Sequence, residues 1–282
     1  MRLRTWIHRD GYRGLGRIIE IKPGQTEKAG RPRMQAALCA CLLIAGCAGA
    51  WFAAAEQTPL RPRPFSVSYT LYYGDSLPVG QITRALSEQG PGRYLFRSET
   101  KATGLASLLR NDRIVEESLW RPAGHGLRPL SYSYDYAGHR GKKHERLRFD
   151  WKRNLVHRKS HDGNSVTPII PGLLDKVLYQ LALIYDLQRG KRALAYPVVD
   201  GKKVKTYKFR EAGAEKLRTA LGDFTAMKLE RRKDSGEIKT ILWCVKELDY
   251  VAVRVDNWDD GRLISARIDT LSGIGGRKLT RN

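Results

Sequence analysis

The chain has 282 residues, with 51 Lys and Arg against 29 Asp and Glu, and so carries a formal net charge of +22 at pH 7. Hydrophobic residues make up 41% of it, which is enough to build a core and excludes a wholly disordered, collagen-like or coiled-coil chain. Only four cysteines occur, and three of them lie in one apolar stretch. A disulfide-stapled scaffold is therefore excluded for the rest of the molecule.

An uncharged segment, residues 36–55, lies between Arg33 and Glu56 near the start of the chain. Its positive flank, apolar middle and small final residues predict an export signal that is cleaved after Ala55. Two alternatives stay open. The segment also resembles a lipobox in which Cys47 would be acylated, and it is long enough to serve as an uncleaved N-terminal membrane anchor. Each of the three predicts a periplasmic or envelope-associated protein.

The basic character is not confined to this signal. Residues 1–55 contain nine basic and three acidic residues, so 42 basic and 26 acidic residues remain after them, a charge of +16. In an exported chain this surface favours anionic lipid, lipopolysaccharide or a lipidated protein as partner, close to a membrane, over nucleic acid. A merely solvated basic surface is the plain alternative.

Strand patterns dominate the sequence that follows. Residues 65–71, 131–136 and 146–151 alternate apolar with polar side chains, which gives each segment one apolar and one wet face. Turn signals such as Asp200-Gly201 separate such runs at close intervals. Together they predict about a dozen strands.

One segment departs from the alternation. Between Gly172 and Gly190 apolar residues recur at helical spacing, and we predict an amphipathic helix there. Its apolar side has Leu174, Val177, Leu178, Leu181, Ile184 and Tyr185, and its polar side has mainly Asp175, Lys176, Gln180, Asp186 and Gln188. We expect a mainly β (α+β) fold, a curved antiparallel sheet or half-barrel with this helix packed on or in it.

The expected domain organisation has four parts. Residues 1–55 form a poorly ordered extension with the signal or anchor, starting at either Met1 or Met34, and residues 56–64 form a Pro- and Arg-rich tether. A single curved-sheet domain covers 65–274, and a flexible tail covers 275–282.

Chemistry-bearing motifs are absent from the sequence. It has no G-x-S-x-G elbow and no Cys with a convincing His partner, and the lone Cys244 lies in an apolar strand-like run, which is typical of a packed thiol. His157 and His161 are four apart, but Lys159 between them argues against a metal site. We therefore expect no catalytic residues, no metal and no cofactor.

Five stretches of the sequence carry a family resemblance: FSVSYTLYYGDSLPVGQITRAL, DKVLYQLALIYDL, YPVVDGKKVKTYKF, LGDFTAMKLER and LWCVKELDYVAVRVDN. From about Phe65 to Ile274 the chain resembles the bacterial family catalogued as domain of unknown function 3108. The resemblance implies an exported envelope protein with a sheet-plus-helix plan similar to the half-barrel of periplasmic lipoprotein carriers. It implies no catalytic residue.

We therefore hypothesise a non-enzymatic envelope protein that binds an acyl chain, a lipid or a lipidated partner in an apolar groove with a basic rim. A scaffold or assembly factor that binds protein or polysaccharide is the alternative. A hydrolase of envelope polymers would require His157 or His161 to meet a distant carboxylate. The candidate groove walls come from the sheet and the helix, and the alternative for each is plain core: Tyr134, Phe149, Trp151, Leu178, Leu181 and Tyr185.

Overall fold

A computed structural model describes residues 60, 62–104, 107, 111–233, 235–259, 261–274 and 277–279. The predicted export signal, with Cys47 and Ala55, lies outside the described residues. In chain order the strands are β1 (Phe65–Tyr73), β2 (Leu77–Glu88), β3 (Tyr94–Ala102), β4 (Arg113–Ala123), β5 (Gly126–Gly138), β6 (Gly141–Asp150), β7 (Leu155–Ser160), β8 (Ser165–Pro168), β9 (Leu194–Asp200), β10 (Lys203–Thr219), β11 (Gly222–Arg232), β12 (Ile238–Val245), β13 (Val251–Asp259), β14 (Arg262–Ile274) and β15 (Arg277–Leu279). A helix, α1 (Leu178–Gln188), precedes β9, and a single 3-10 turn (Lys246–Leu248) follows β12.

All of these strands belong to one antiparallel sheet. Its order is β8-β7-β6-β5-β4-β3-β2-β1-β14-β13-β12-β11-β10-β9, and β15 pairs with β14. Two meanders, β1 to β8 and β9 to β14, therefore join where β1 lies beside β14. Among the described residues no strand pairing links β8 to β9, so the sheet is curved but unclosed. The mainly β fold with a curved antiparallel sheet and one helix is confirmed.

The predicted alternation decides which face of the sheet is buried. In β1, Val67 and Tyr69 are buried, and the register pairs Tyr69 with Ile82 of β2. The same face continues across the sheet to Tyr132 of β5 and Leu147 of β6, which are a cross-strand pair. Because side chains alternate along each strand, one continuous apolar face results, and we call it the inner face.

The helix α1 lies against this inner face. It contacts both β5 and β9, and Gln188 is the one residue of the helix that is exposed. With 11 residues, the one helix outlined in the described part of the chain falls short of the length and apolarity that crossing a bilayer requires. Burial on nearly every side explains why this short helix is stable, since isolated helices of this length are marginal in water.

The polar side predicted for the helix is wrong for Asp175 and Asp186, whereas Gln188 is exposed. Leu174 does not belong to α1, because its backbone pairs with β9: Leu174 N donates to Pro197 O and Val199 N donates to Leu174 O, each at 2.9 Å. Asp175 and Asp186 are buried, not solvated. The pattern misleads because each carboxylate receives hydrogen bonds from neighbouring protein groups, which compensate for the loss of water.

Ion pairs connect the two ends of the strand order. Lys176 Nζ lies 3.4 Å from Glu145 Oε1 on β6 and 3.5 Å from Asp200 Oδ1 on β9. Arg158 of β7 donates to Glu145 at 2.8 Å, and both side chains are at most 8% exposed. The segment before α1 thus links β6 and β9 where strand pairing stops.

Two boundaries differ from the expected organisation. Pro62, in the predicted tether, is buried. The predicted tail contains β15, in which Arg277 pairs with Ile274 and Leu279 with Leu271. Backbone pairing along a free strand edge needs no apolar alternation, and this explains why the sequence pattern gave no sign of β15.

Candidate ligand cavity

A cavity of about 120 Å³ lies between α1 and the inner face. The sheet side of it comes from β1, β2, β3, β12 and β13, and most of its lining is apolar. Its lining residues are Phe65, Val67, Tyr69, Arg84, Phe96, Tyr179, Gln180, Leu183, Ile184, Thr240, Leu242, Cys244, Tyr250, Val251, Ala252, Val255 and Asn257. A dry apolar cavity of about 150 Å³ is known to accept benzene, so this smaller cavity suits a somewhat smaller group.

One positive charge lies among the apolar walls. Arg84 takes the inner-face position of β2 between Ile82 and Leu86, where its cross-strand partners are Val67 and Ser98. Its guanidinium lies 5.5 Å from the centre of the Tyr69 ring, a cation–π contact. Its Nε is buried and has no hydrogen-bond partner in the described part of the chain.

Tyr69 shows that this wall of the cavity is shielded from solvent. Its hydroxyl donates to Ala252 O at 2.9 Å, which links β1 to β13. Burial raises the pKa of Tyr69 to about 12, and the nearby charge of Arg84 offsets part of that rise. At neutral pH the Tyr69 hydroxyl is not ionised, and it lies beside the guanidinium of Arg84 in the cavity wall.

A polar ladder borders the opposite wall. Arg231 of β11 pairs in register with Thr240 of β12, and Thr240 pairs with Asn257 of β13. Arg231 Nη2 donates to Thr240 Oγ1 at 3.1 Å, and Thr240 Oγ1 donates to Asn257 Oδ1 at 2.7 Å. The Arg231 guanidinium lies 4.5 Å from the centre of the Tyr207 ring, and its Nε is buried without a hydrogen-bond partner among the described residues.

The helix contributes Gln180 to the lining. Its Oε1 is buried and accepts no hydrogen bond from any described residue. Tyr179, beside it in sequence, packs edge-on against Tyr207 with ring centres 5.1 Å apart. Burial raises the pKa of Tyr179, while the charges of Arg231 and Arg84 act in the opposite direction. Both guanidinium groups are therefore close enough to act on one hydroxyl.

The six predicted wall residues lie elsewhere. Leu178 and Leu181 are fully buried, and Tyr134, Phe149 and Tyr185 are 6 to 8% exposed. Trp151 is half-buried beyond the end of β6, where its Nε1 donates to Pro129 O at 2.7 Å. Five of the six are thus packed inside the protein and one covers a turn, and the cavity lining includes none of them.

Arg84 and Gln180 are the important residues that our sequence reasoning missed. The sequence does mark Arg84. Side chains alternate along β2, so Arg84 points to the same face as the apolar Ile82 and Leu86 on either side of it. A charged residue at a core position is rare unless it has a partner, and this marks it as functional or structural. Gln180 was predicted on the polar side of the helix, but periodicity alone could not show that it would line a cavity.

The site lacks the geometry for acid–base chemistry. Among the described histidines, a carboxylate contact is found at His139, whose Nδ1 lies 2.8 Å from Asp112 Oδ1 far from the cavity. His161 Nδ1 lies 3.2 Å from Ser160 Oγ. Cys244 lines the cavity, but burial raises the pKa of its thiol to about 12, so the thiolate is not formed at neutral pH.

A second, larger cleft of about 680 Å³ is lined mainly by residues of β10, β13 and β14. Arg267 lies over the Tyr72 ring at 4.6 Å and Arg254 lies over the Trp243 ring at 4.7 Å. The cleft is open to solvent, and its lining also includes the carboxylates of Asp223 and Asp269. Mixed charge and free access to water are typical of a recognition surface and unlike a buried ligand site.

Comparison with known proteins identifies a family and adds no activity. A model of the family described as "Protein of unknown function (DUF3108)" matches residues 68–262. Among solved structures, the chain is similar to a β-barrel-like protein of domain of unknown function DUF1849 from Brucella abortus. The two are 8% identical, the match covers 75% of this chain and 98% of that chain, and the TM-score is 0.48. Comparison with curated proteins gives no match.

Proposed function

The chain belongs to the DUF3108 family, and we propose that it is a non-enzymatic envelope protein that binds the end of an acyl chain in the cavity beside α1. One observation carries this proposal: a largely apolar cavity lies between a helix and a curved sheet. Apolar walls favour apolar groups, because water gains few hydrogen bonds against them.

The cavity volume limits what enters. About 120 Å³ accommodates a few carbons at one end of an acyl chain and not a whole long chain. Each methylene that leaves water contributes about 0.8 kcal/mol, or roughly a fourfold gain in affinity. The proposal therefore predicts that affinity rises with chain length only until the cavity is filled.

A length series tests this. Straight-chain carboxylic acids from butanoate to decanoate are titrated into the full chain, and binding is followed by ligand-detected NMR. We expect a roughly fourfold gain per methylene at short lengths and a plateau at longer ones. Affinity that is flat from the start, or absent throughout, would contradict the proposal.

A pair of matched variants tests whether the ligand binds inside the cavity. Ala252 lines the cavity, and Ala195 is exposed on β9. Ala252→Leu adds side-chain volume inside the cavity and is expected to lower affinity at least about tenfold. Ala195→Leu adds the same atoms on the surface and should leave affinity unchanged. Equal effects of the two substitutions would place the ligand outside the cavity.

A second candidate, a scaffold for envelope assembly, is favoured by the larger cleft. Arg254 and Arg267 each stack on an aromatic ring there, and such pairs suit an acidic polymer. Co-sedimentation with purified cell-wall sacculi tests it. Loss of sedimentation in Arg267→Ala, with retention in the exposed Arg121→Ala, would support the scaffold, and no sedimentation of the wild-type chain would exclude it.

A further inference from the structure

We infer that the cavity contains an oxyanion subsite, formed by Arg84 and Arg231, that takes the carboxylate or phosphate group of the bound amphiphile. This inference rests on the proposed function and assigns the polar end of the ligand. Arg84 lies in the lining itself. Arg231 lies behind Thr240, a lining residue to which its Nη2 donates.

Both arginines have a buried N–H donor that makes no hydrogen bond with a described residue. The Nε atoms of Arg84 and Arg231 are both buried and without hydrogen-bond partners in the described residues. A buried guanidinium donor without a partner destabilises the folded state, and proteins seldom retain such a loss without a compensating role. A bound oxyanion would supply the missing acceptors.

The neighbours of these arginines leave their charge unneutralised. Each guanidinium lies over a tyrosine ring, Arg84 at 5.5 Å from the Tyr69 ring centre and Arg231 at 4.5 Å from that of Tyr207. These contacts hold the side chains but neutralise no charge. In the described part of the chain neither arginine forms an ion pair with a carboxylate.

The local balance of charge is positive. Burial raises the pKa of Tyr179, the charges of Arg231 and Arg84 lower it and that of Glu116 raises it, so all three charges lie within electrostatic reach of this hydroxyl. Glu116 already accepts a hydrogen bond of 2.6 Å from the Tyr132 hydroxyl. Two cations against one engaged carboxylate leave room for one more negative charge, which suits a singly charged carboxylate or a phosphate ester.

Gln180 fits the same assignment. Its Oε1 has no donor near it in the described residues. A flip of the amide exchanges this oxygen for the NH₂ group, which would then face the cavity as a further donor to an oxyanion. Arginine side chains with an amide donor form a set that recognises carboxylates and phosphates by planar, paired hydrogen bonds.

The test compares three ligands that share an alkyl chain and differ in the head: octanoate, octyl phosphate and octanol. Each is titrated into the full-length wild-type chain, Arg84→Gln and Arg231→Gln, with the exposed Arg121→Gln as a control for the loss of one charge. We expect each cavity variant to lose at least about tenfold in affinity for an anionic ligand and to keep its affinity for octanol. Which of the two anions binds more tightly identifies the head group.

Two further readouts keep the inference open to refutation. Arg84→Lys retains the charge without the paired donors, so its anion affinity should fall between those of wild type and Arg84→Gln. Thermal melting of every variant separates lost binding from lost folding. Wild-type protein that binds octanol as tightly as octanoate, or an equal loss in Arg121→Gln, would overturn the oxyanion subsite and leave the acyl proposal intact. Failure to bind any of the three ligands would instead overturn the proposed function.

Discussion

Ser118 Oγ donates a hydrogen bond of 2.6 Å to Asp175 Oδ2, and both residues are 0% exposed. The other oxygen of Asp175 accepts the backbone N–H groups of Val177 at 3.1 Å and Leu178 at 2.9 Å. These bonds satisfy donors at the first turn of α1 and join the helix to β4. Asp175 therefore decides where the helix starts, although no cation among the described residues pairs with it.

This buried carboxylate should make stability depend on pH. Burial, with a smaller contribution from the charge of Glu116, raises the pKa of Asp175 from 3.8 to about 6. The folded state then holds the proton more tightly than the unfolded state, so stability is highest below the unfolded pKa and falls as pH rises through the folded pKa. Asp175→Asn keeps the cap without the charge. We expect it to gain up to about 3 kcal/mol over wild type at neutral pH and little at about pH 4.

Urea unfolding at the two pH values measures this difference. Asp150→Asn is the matched control, because a backbone hydrogen bond from Arg153 lowers the pKa of the half-buried Asp150, which is the opposite direction. Its loss of stability should therefore be larger at neutral pH than at acid pH. An Asp175→Asn gain that is the same at both pH values would contradict a raised pKa.

The helix illustrates how far the sequence could be interpreted. Its existence followed from the spacing of Leu178, Leu181 and Tyr185, and the structure places it within the predicted stretch. Its polar residues were misassigned, because periodicity assumes that charged groups seek water. Asp186 is instead buried by contacts with Lys191 and Tyr196, which lie farther along the chain and form only when β9 folds back.

Lys176 should hold the open side of the sheet together. Its ammonium lies between Glu145 and Asp200, all three nearly buried. Lys176→Met preserves the stem and removes the charge, leaving Glu145 to Arg158 alone. We expect a loss of about 1 to 3 kcal/mol in unfolding free energy. The exposed Lys152→Met, measured by the same urea titration, should change stability by less than about 0.5 kcal/mol.

Hydrogen exchange adds a local readout for Lys176→Met. If the lysine links β6 to β9, protection should fall most in β9, which lies at one end of the strand order. A uniform loss of protection across the sheet would show instead that the residue stabilises the whole fold and not this connection.

Two leucines of α1 separate core from cavity. Leu181, a predicted wall residue, is fully buried outside the cavity lining, whereas Leu183 lines the cavity. Replacement of either by Ala should cost about 2 to 5 kcal/mol. Only Leu183→Ala enlarges the ligand space, so only this variant should shift the affinity plateau of the acid series to longer chains. The same shift of the plateau in Leu181→Ala would show that Leu181 also borders the ligand, which would contradict this prediction.

The contrast between these leucines explains what the sequence could not supply. Alternation in β1, β5 and β6 predicts an inner face correctly, because one side of each strand must leave water. Sheet curvature and the rotation of α1 about its axis decide which part of that face contacts the helix and which part lines the cavity. Arg84 was recognisable as an inward charge, but its position beside a cavity depends on β12 and β13, more than 150 residues away in sequence.

Gly273 should be intolerant of any side chain. Its φ is +85°, and a Cβ there would overlap the carbonyl oxygen of Pro64 and lie 2.8 Å from the Cα of Phe65, where β14 passes the start of β1. Gly273→Ala therefore combines an unfavourable backbone conformation with a backbone clash that no rotamer relieves. Gly74 has a φ of +61° and open space around its Cβ position, so Gly74→Ala isolates the conformational part. We expect about 1 kcal/mol for Gly74→Ala and at least about 2 kcal/mol more for Gly273→Ala in urea unfolding. Equal losses would mean that β1 and β14 separate easily at this point, and that the junction between the two meanders is looser than their pairing indicates.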